Sequence, residues 1–460
     1  MNILLYLLFL SVFLLDFCHF NLRIVPRYAT WMPEVLSVVT FFIVALRFAI
    51  KKELAIHQKY IYLILSYLII IFIGTILNST PIGALFIGIR FYFKHLPFFL
   101  LPTVHDFSDK EFRSQLQFLL PLLILQCPLA AYQRFVQYKG VPTGDLITGT
   151  LESSAPLSIV MICSIAVIFA LYLKKQVDVR LFLLTSCCLF LPTAIDETKA
   201  TLIFLPIAFV LPALFSGGYG SLTKTKSLLT MALVGGLFIS AYVPIYNHFI
   251  KAWGVWGHPN GILAFLQKED ELKNYLYRGA KGTRGERIRR GDVIVLAYKN
   301  LSTDIRSLAF GVGIGNVMDS YFKSCRGKYS EASRYRPETL ALTHLFWELG
   351  LMGVIVYFVF FFFLFRDALL LRRSDDIFGC FALAWTSVIV IIGLCLMYQN
   401  IISLNVINFM FWYFSGLVAA KTFKMRTLSE EYGSYPGTSV QPAYSQSESS
   451  LSGARHVDPW

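Results

Sequence analysis

Residues 376–398 read DIFGCFALAWTSVIVIIGLCLMY, and after Asp376 the run contains no charged residue. About 20 apolar residues suffice to cross a bilayer as a helix, and a helix satisfies its own backbone polar groups there. Comparable runs fall at 3–20, 32–50, 59–77, 82–103, 115–135, 155–173, 227–247, 344–366 and 401–420. The stretch 180–216 is too long for one helix, and the polar cluster Asp196-Glu197-Thr198-Lys199 divides it into two short ones. The pattern predicts an all-α polytopic membrane protein of about 12 transmembrane helices with one large extracytoplasmic loop. Composition agrees: 56% of residues are apolar and 15% charged, against roughly 45–50% apolar in a soluble domain. A soluble enzyme is excluded on that ground.

Seven of the eight cysteines lie in apolar runs and only Cys325 in a polar one, so neither a disulfide framework nor a Cys-x-x-Cys metal site can be drawn. The first apolar run has no basic start and no small-residue cleavage signature, and reads as a retained span. With the N-terminus placed in the cytoplasm, the connections that fall inside hold 15 Lys and Arg, among them Lys51, Lys52, Arg372 and Arg373. The short outer connections hold four: Arg23, Arg27, Lys139 and Lys199. The positive-inside rule therefore places both termini inside.

The domain reading follows: transmembrane helices one to nine over 1–247, a large extracytoplasmic loop over 248–342, helices ten to twelve over 343–420, and a disordered cytoplasmic tail over 421–460. The loop carries 16 basic and 9 acidic residues, a good part of the chain's net +13. Loops of this length translocate regardless of charge, so the basic loop does not conflict with the orientation. Within it, Gly261 to Leu276 and Arg287 to Leu301 read as short surface helices, followed by a glycine-rich turn and a basic stretch from Lys323 to Arg336. The tail, rich in Ser, Gly, Tyr and Pro, cannot bury a core. No internal repeat supports an inverted-repeat transporter.

Four constellations carry candidate chemistry. Arg284, Arg287, Arg289 and Arg290 form a basic run in which a helix would put 284, 287 and 290 on one flank, where guanidinium forks suit phosphate oxygens. The plainer reading is a solvated basic surface touching lipid headgroups. His344 stands where the loop re-enters the membrane, with Glu348 one turn on, a pairing able to orient an imidazole that accepts a hydroxyl proton. The plainer reading is an interfacial anchor beside Trp347. Arg90 lies near mid-span, where a charge needs a carboxylate such as Asp16 or Glu34, or a water-filled cavity; Lys94 snorkels towards the cytoplasm. The Asp196–Lys199 corner lines a cavity or is an ordinary salt-bridged turn. The sequence has no Walker motif, no His-Glu-x-x-His, no complete dinucleotide fingerprint and no nucleic-acid-binding module.

The order of these features resembles the bacterial O-antigen ligase and polymerase family. The match rests on an Arg-containing helix followed by Phe310-Gly-Val-Gly-Ile-Gly-Asn316 and then by His344 with Glu348-Leu-Gly-Leu-Met-Gly353. Supporting matches are Gly88 to Lys94, Gly149-Thr150-Leu151 and Glu197-Thr-Lys-Ala200. The family often has Asn after the histidine; here Leu345 follows, and no role is carried over for that Asn. The resemblance implies a membrane-embedded, GT-C-like glycosyltransferase, metal-independent and without a cofactor. Its substrates are polyprenyl-diphosphate-linked glycans at the outer face of the bacterial inner membrane. Its expected partners are these glycans, membrane lipids, a flippase and a chain-length regulator, with no nucleic acid. It further implies His344, Arg290 and Glu348 as catalytic residues, and Arg284, Arg287, Arg289, Arg90, Lys199, Gly313 and Gly315 at the diphosphate and substrate. A polymerase joining repeats is favoured over a ligase moving finished glycan to lipid A core. A lipid-linked glycan transporter would place its polar residues at the midplane and not in one loop.

Overall fold

The computed structural model describes the whole chain except 142–143, 217–220, 252–261, 263–280, 283–284, 287–289, 321, 331–338 and 434–460. The described part is built of helices: α1 (Asn2–Phe20), α2 (Met32–Lys51), α3 (Gln58–Leu77), α4 (Ile82–Phe93), α5 (Leu96–Val104), α6 (Asp109–Ile124) and α7 (Gln126–Tyr132). Then follow α8 (Ser154–Leu173), α9 (Val179–Ile195), α10 (Thr201–Phe215), α11 (Ser221–Lys251), α12 (Arg290–Leu301), α13 (Ile305–Phe310), α14 (Ala341–Leu371), α15 (Ile377–Cys395) and α16 (Asn405–Gly433). The described strands are a minimal ladder pairing Lys281–Gly282 with Gly285–Glu286.

Among the described residues, nine helices are long and apolar enough to cross a membrane, and α4 with α5 adds a tenth bent by 44°. The two helices predicted from 180–216 are present as α9 and α10, each shorter than a full crossing. The chain is a multi-pass membrane protein. Its periphery agrees: Phe41, Phe42, Ile69, Phe72 and Leu184 are exposed, as lipid-facing side chains must be. The opening stretch becomes α15, buried on nearly every side by α8, α10 and α14. Hydrophobicity does not drive association in lipid, so close packing does. An added Cβ on Gly416 of α16 would lie 2.1 Å from the Phe99 carbonyl of α5.

Local chemistry sets the breaks. Pro97 has no N–H to give the helix continuing from α4, and the chain turns at Lys94–His95. Between α9 and α10, Glu197 takes a left-handed φ of 60°. α6 starts on a capping box in which Ser108 and Glu111 exchange hydrogen bonds.

Alternation of the helices gives the bundle two faces. The loop face carries the ends of α1, α3, α7, α9, α11 and α15 and the starts of α2, α4, α8, α10, α14 and α16; the opposite face carries the starts of α1, α3, α6, α9, α11 and α15 and the ends of α2, α5, α8, α10, α14 and α16. One expectation is corrected here. The segment from Lys421, expected to begin a disordered tail, continues α16 as helix to Gly433. Lys421 and Lys424 reach Asp106 at 2.9 and 2.7 Å, and Thr422 is buried. Residues 434–460 lie outside the described residues, as does the expected helix at 261–276 apart from Ile262. The second expected loop helix, Arg287 to Leu301, is present as α12 from Arg290 to Leu301, and 287–289 lie outside the described residues.

Candidate active site

The glycine-rich turn fixes how the loop meets the membrane. Gly350 has a φ of 65°, which interrupts α14 after its second turn. The Trp347 and Glu348 carbonyls next to this break accept the N–H groups of Val312 (2.7 Å) and Gly313 (3.1 Å). On the other side Asn78, just after α3, donates to the Gly311 carbonyl at 3.0 Å, and Asn316 donates to Thr80 at 3.0 Å. A Cβ on Gly315 would lie 1.8 Å from the Ala84 carbonyl of α4. Gly313 and Gly315, expected at the substrate, are therefore consumed in backbone packing against α3, α4 and α14. Glycine is required because φ is positive at both, and the place of the side chain is filled by the Thr80 hydroxyl at Gly313 and by the Ala84 backbone at Gly315.

This docking carries α12 onto α14 through Val293, Ala297 and Leu301, with Ala297 and Leu301 clustered with Val312, Val317 and Trp347. Arg290 opens α12, half-buried, with its guanidinium carbon 4.4 Å above the Tyr398 ring. Tyr398 lies on the connection between α15 and α16. Arg284, Arg287 and Arg289 lie outside the described residues.

His344 and Glu348 come together as their spacing predicts, Nε2 to Oε2 at 3.4 Å. Their surroundings differ from the expectation. His344 is 1% exposed, stacked on Phe91 with centroids 5.0 Å apart, and Glu348 is fully buried. Glu348 Oε1 accepts the Val317 N–H at 3.3 Å, whereas its Oε2 and both His344 nitrogens have no hydrogen-bond partner among the described residues. Neither an exposed base nor an interfacial anchor describes this pair. Both side chains are sealed beneath the docked loop, where bulk solvent does not reach.

Of the two carboxylates offered to Arg90, Glu34 takes it, at 2.9 Å, with Trp31 under the guanidinium at 4.7 Å. Lys94 departs from the prediction. It points to the loop face, reaching Asn405 at the start of α16 (2.5 Å) and Glu34 (3.5 Å). The bend between α4 and α5 presents it there, so it does not snorkel to the other side.

The Asp196–Lys199 corner splits into parts. Asp196 is buried, accepting from Ser158 at 2.6 Å and the Thr198 N–H at 3.0 Å, and burial raises its carboxyl well above the usual range despite those bonds. Glu197 meets the buried Arg134 at 2.5 Å, as in a salt-bridged turn, and Arg134 stacks on Phe249. Lys199 stands half-buried beside them, on the same face as Arg290.

Sequence reasoning missed a clamp just before α8. Gln133 Oε1 accepts the N–H groups of Thr148 (3.0 Å) and Gly149 (2.8 Å), while Gln126 exchanges bonds with Thr150 at 2.8 Å on both its nitrogen and its oxygen. The next acid, Glu152, is exposed as a residue yet has protein crowded around it. The polar run Thr148 to Ser154 was the available signal. An apolar cavity of about 340 Å³ lies between α6, α8, α9, α15 and α16, its lining running from Arg113 and Gln176 at the opposite face to Ile392 and Val406 nearer the loop face. Among the described residues no group of three His, Cys, Asp or Glu is placed to hold a metal ion.

No family model matches the chain, and no curated protein matches it either.

Proposed function

We propose that this chain is a membrane glycosyltransferase that polymerises polyprenyl-diphosphate-linked oligosaccharide repeats into O-antigen, capsular or exopolysaccharide. On this reading the loop face is the outer face of a bacterial inner membrane, both termini are cytoplasmic, and α9 and α10 complete 12 crossings in a GT-C-like architecture. The observation that carries it is the placement of Arg290. A guanidinium at a helix N-terminus stands on the loop face, at the same end of the bundle as Arg90 and Lys94. Departure of a diphosphate from an anomeric carbon needs cations where negative charge develops, and these are cations of that kind. The donor is already activated by its diphosphate, so no nucleotide is required. His344 and Glu348 then support the reaction from below, by holding the docked loop and α14 together.

The test compares glycolipids from cells lacking the protein with cells carrying Arg290→Ala or the exposed control Lys299→Ala. Single repeats on the final acceptor in the deletion strain are expected. Long chains stranded on the polyprenyl carrier would instead mean a ligase, and intermediates trapped on the inner leaflet a transporter. Normal long-chain glycan from Arg290→Ala at normal protein level would remove Arg290 from the chemistry.

A further inference from the structure

We infer that Glu152 is the catalytic base of the proposed transfer, and that Asp16, Glu34, Lys94 and Asn405 surround the place where the acceptor sugar presents its hydroxyl. The inference rests on the glycosyltransferase reading and replaces the histidine that the sequence pattern suggested.

Three observations carry it. The first is rigidity. The loop leading to Glu152 is held by Gln126 and Gln133, both buried, and Gly149 takes a φ of 60° with its missing Cβ only 2.2 Å from Gln126 Oε1. A base must be held within a few tenths of an ångström of its proton, and a loop with every bond of this kind made is a suitable mount.

The second is the charge around it. Asp16 from α1, Glu34 from α2 and Lys94 from the bend between α4 and α5 all act on the Glu152 charge, and the Asn405 N–H from α16 stands at its carboxylate. His19 and Glu34 in turn face Asp16, and Arg90 faces Lys94. Three carboxylates thus meet two cations in a half-enclosed setting, and the imbalance favours one of them holding a proton. Glu152 is the exposed one of the three, so it is the one that can exchange that proton with a ligand or water. Burial first, and Asp16 second, push its carboxyl up to about 7. That places its titration where a base works best near neutral pH.

The third is unmet hydrogen bonding. Glu34 Oε2 and Arg90 Nε are buried without a partner among the described residues. Buried polar groups are paired as a rule, and these two are an acceptor and a donor of the kind a sugar's hydroxyls satisfy. His344, by contrast, is covered by Phe91 and the docked loop.

A lone pair on the acceptor hydroxyl oxygen forms the bond to the anomeric carbon of the donor. The bond from that carbon to the diphosphate oxygen breaks, and its electron pair leaves on the diphosphate. The hydroxyl proton passes to the Glu152 carboxylate and from there to water.

The experiment uses membranes from cells that make the glycan, with their own lipid-linked donor and acceptor and the full-length protein. The initial rate of glycan growth is followed from about pH 5 to about pH 9 in wild type, Glu152→Gln and Glu152→Asp. The wild-type rate is expected to fall on the acid side as the base protonates. Glu152→Gln is expected to lose about 100-fold or more and to lose that acid limb. Glu152→Asp is expected to regain part of the rate with the limb moved. A Gln variant with wild-type rate and profile overturns the assignment. So does an Asp variant with an unmoved acid limb, including the case in which the Gln variant fails to reach the membrane. A deletion strain with unchanged glycan would defeat the glycosyltransferase reading itself, a different result from either.

Discussion

On the opposite face Asp367 binds Lys59 through one carboxylate oxygen at 2.6 Å and Tyr60 through the other at 2.8 Å, and Asp106 likewise divides its two oxygens between Lys421 and Lys424. On the loop face Glu34 holds Arg90 and Lys94 through a single oxygen, and its other oxygen has no partner among the described residues. Where both oxygens are engaged, the ion pair fastens helices. Arg426 at 3.7 Å and Thr422, which donates to the Asp367 carbonyl, make Asp367 a junction of α3, α14 and α16. Where one oxygen stays open, the protein keeps hydrogen-bonding capacity in reserve. A buried carboxylate oxygen left open is costly, so the free side of Glu34 points to use there.

Substitutions can break this contrast. The largest effect on stability is expected from Asp367→Ala, which leaves the largely buried Lys59 without its carboxylate. Removing one partner of a buried pair costs about 3–5 kcal/mol, so thermal unfolding of the purified protein in detergent should show a large drop. An unchanged unfolding temperature would mean that this junction does not fasten the bundle. Gly315→Ala is expected next, at about 1–3 kcal/mol, because a side chain at positive φ meets the Ala84 carbonyl. The same variant should make the segment around Lys323 and Lys328 more open to trypsin; an unaltered digestion pattern would argue against the docking role of the turn.

Arg290→Ala sharpens the contrast from the other side. Its stacking on Tyr398 is worth about 0.5–1 kcal/mol, so the stability loss should be smaller than for Asp367→Ala while glycan growth is lost. Equal losses of folding and glycan would make it structural. Asp106 is expected to matter least, since its side chain is 56% exposed. Burial alone would raise its carboxyl, but Lys424 and Lys421 hold it below the usual range. A depressed carboxyl stabilises the folded state above its unfolded value and loses that contribution as pH falls through the folded one. The tie of α16 to the α5–α6 connection should therefore weaken only in acid, read as a loss of well under 1 kcal/mol between Asp106→Asn and wild type that vanishes at low pH.

Much of the fold was legible because a bilayer makes length and apolarity nearly sufficient. The run at 376–398 had to be a helix, and the Asp196–Lys199 interruption had to be a break. The site was less legible. His344 and Glu348 are paired as their spacing requires, but spacing within one helix says nothing of Phe91 lying across the imidazole from another. The Gly311–Gly315 pattern reads equally as a phosphate cradle or as a packing surface, and the nearness of α3 and α4 decides for packing. The role of Glu152 is not legible in sequence because Asp16, Glu34, Lys94 and Asn405 lie far from it along the chain, and the charges of the first three and the N–H of the last act on it only in three dimensions.

By itself the sequence determined a multi-pass helical protein, its main interruptions and the basic character of its longest polar segment, because these depend on local composition and helix period. The tertiary structure decided which charges are closed into fastening pairs and which are left open. That depends on what other helices bring within about 3–4 Å, where Coulomb attraction and hydrogen bonding become strong enough to choose between anchor and reactant.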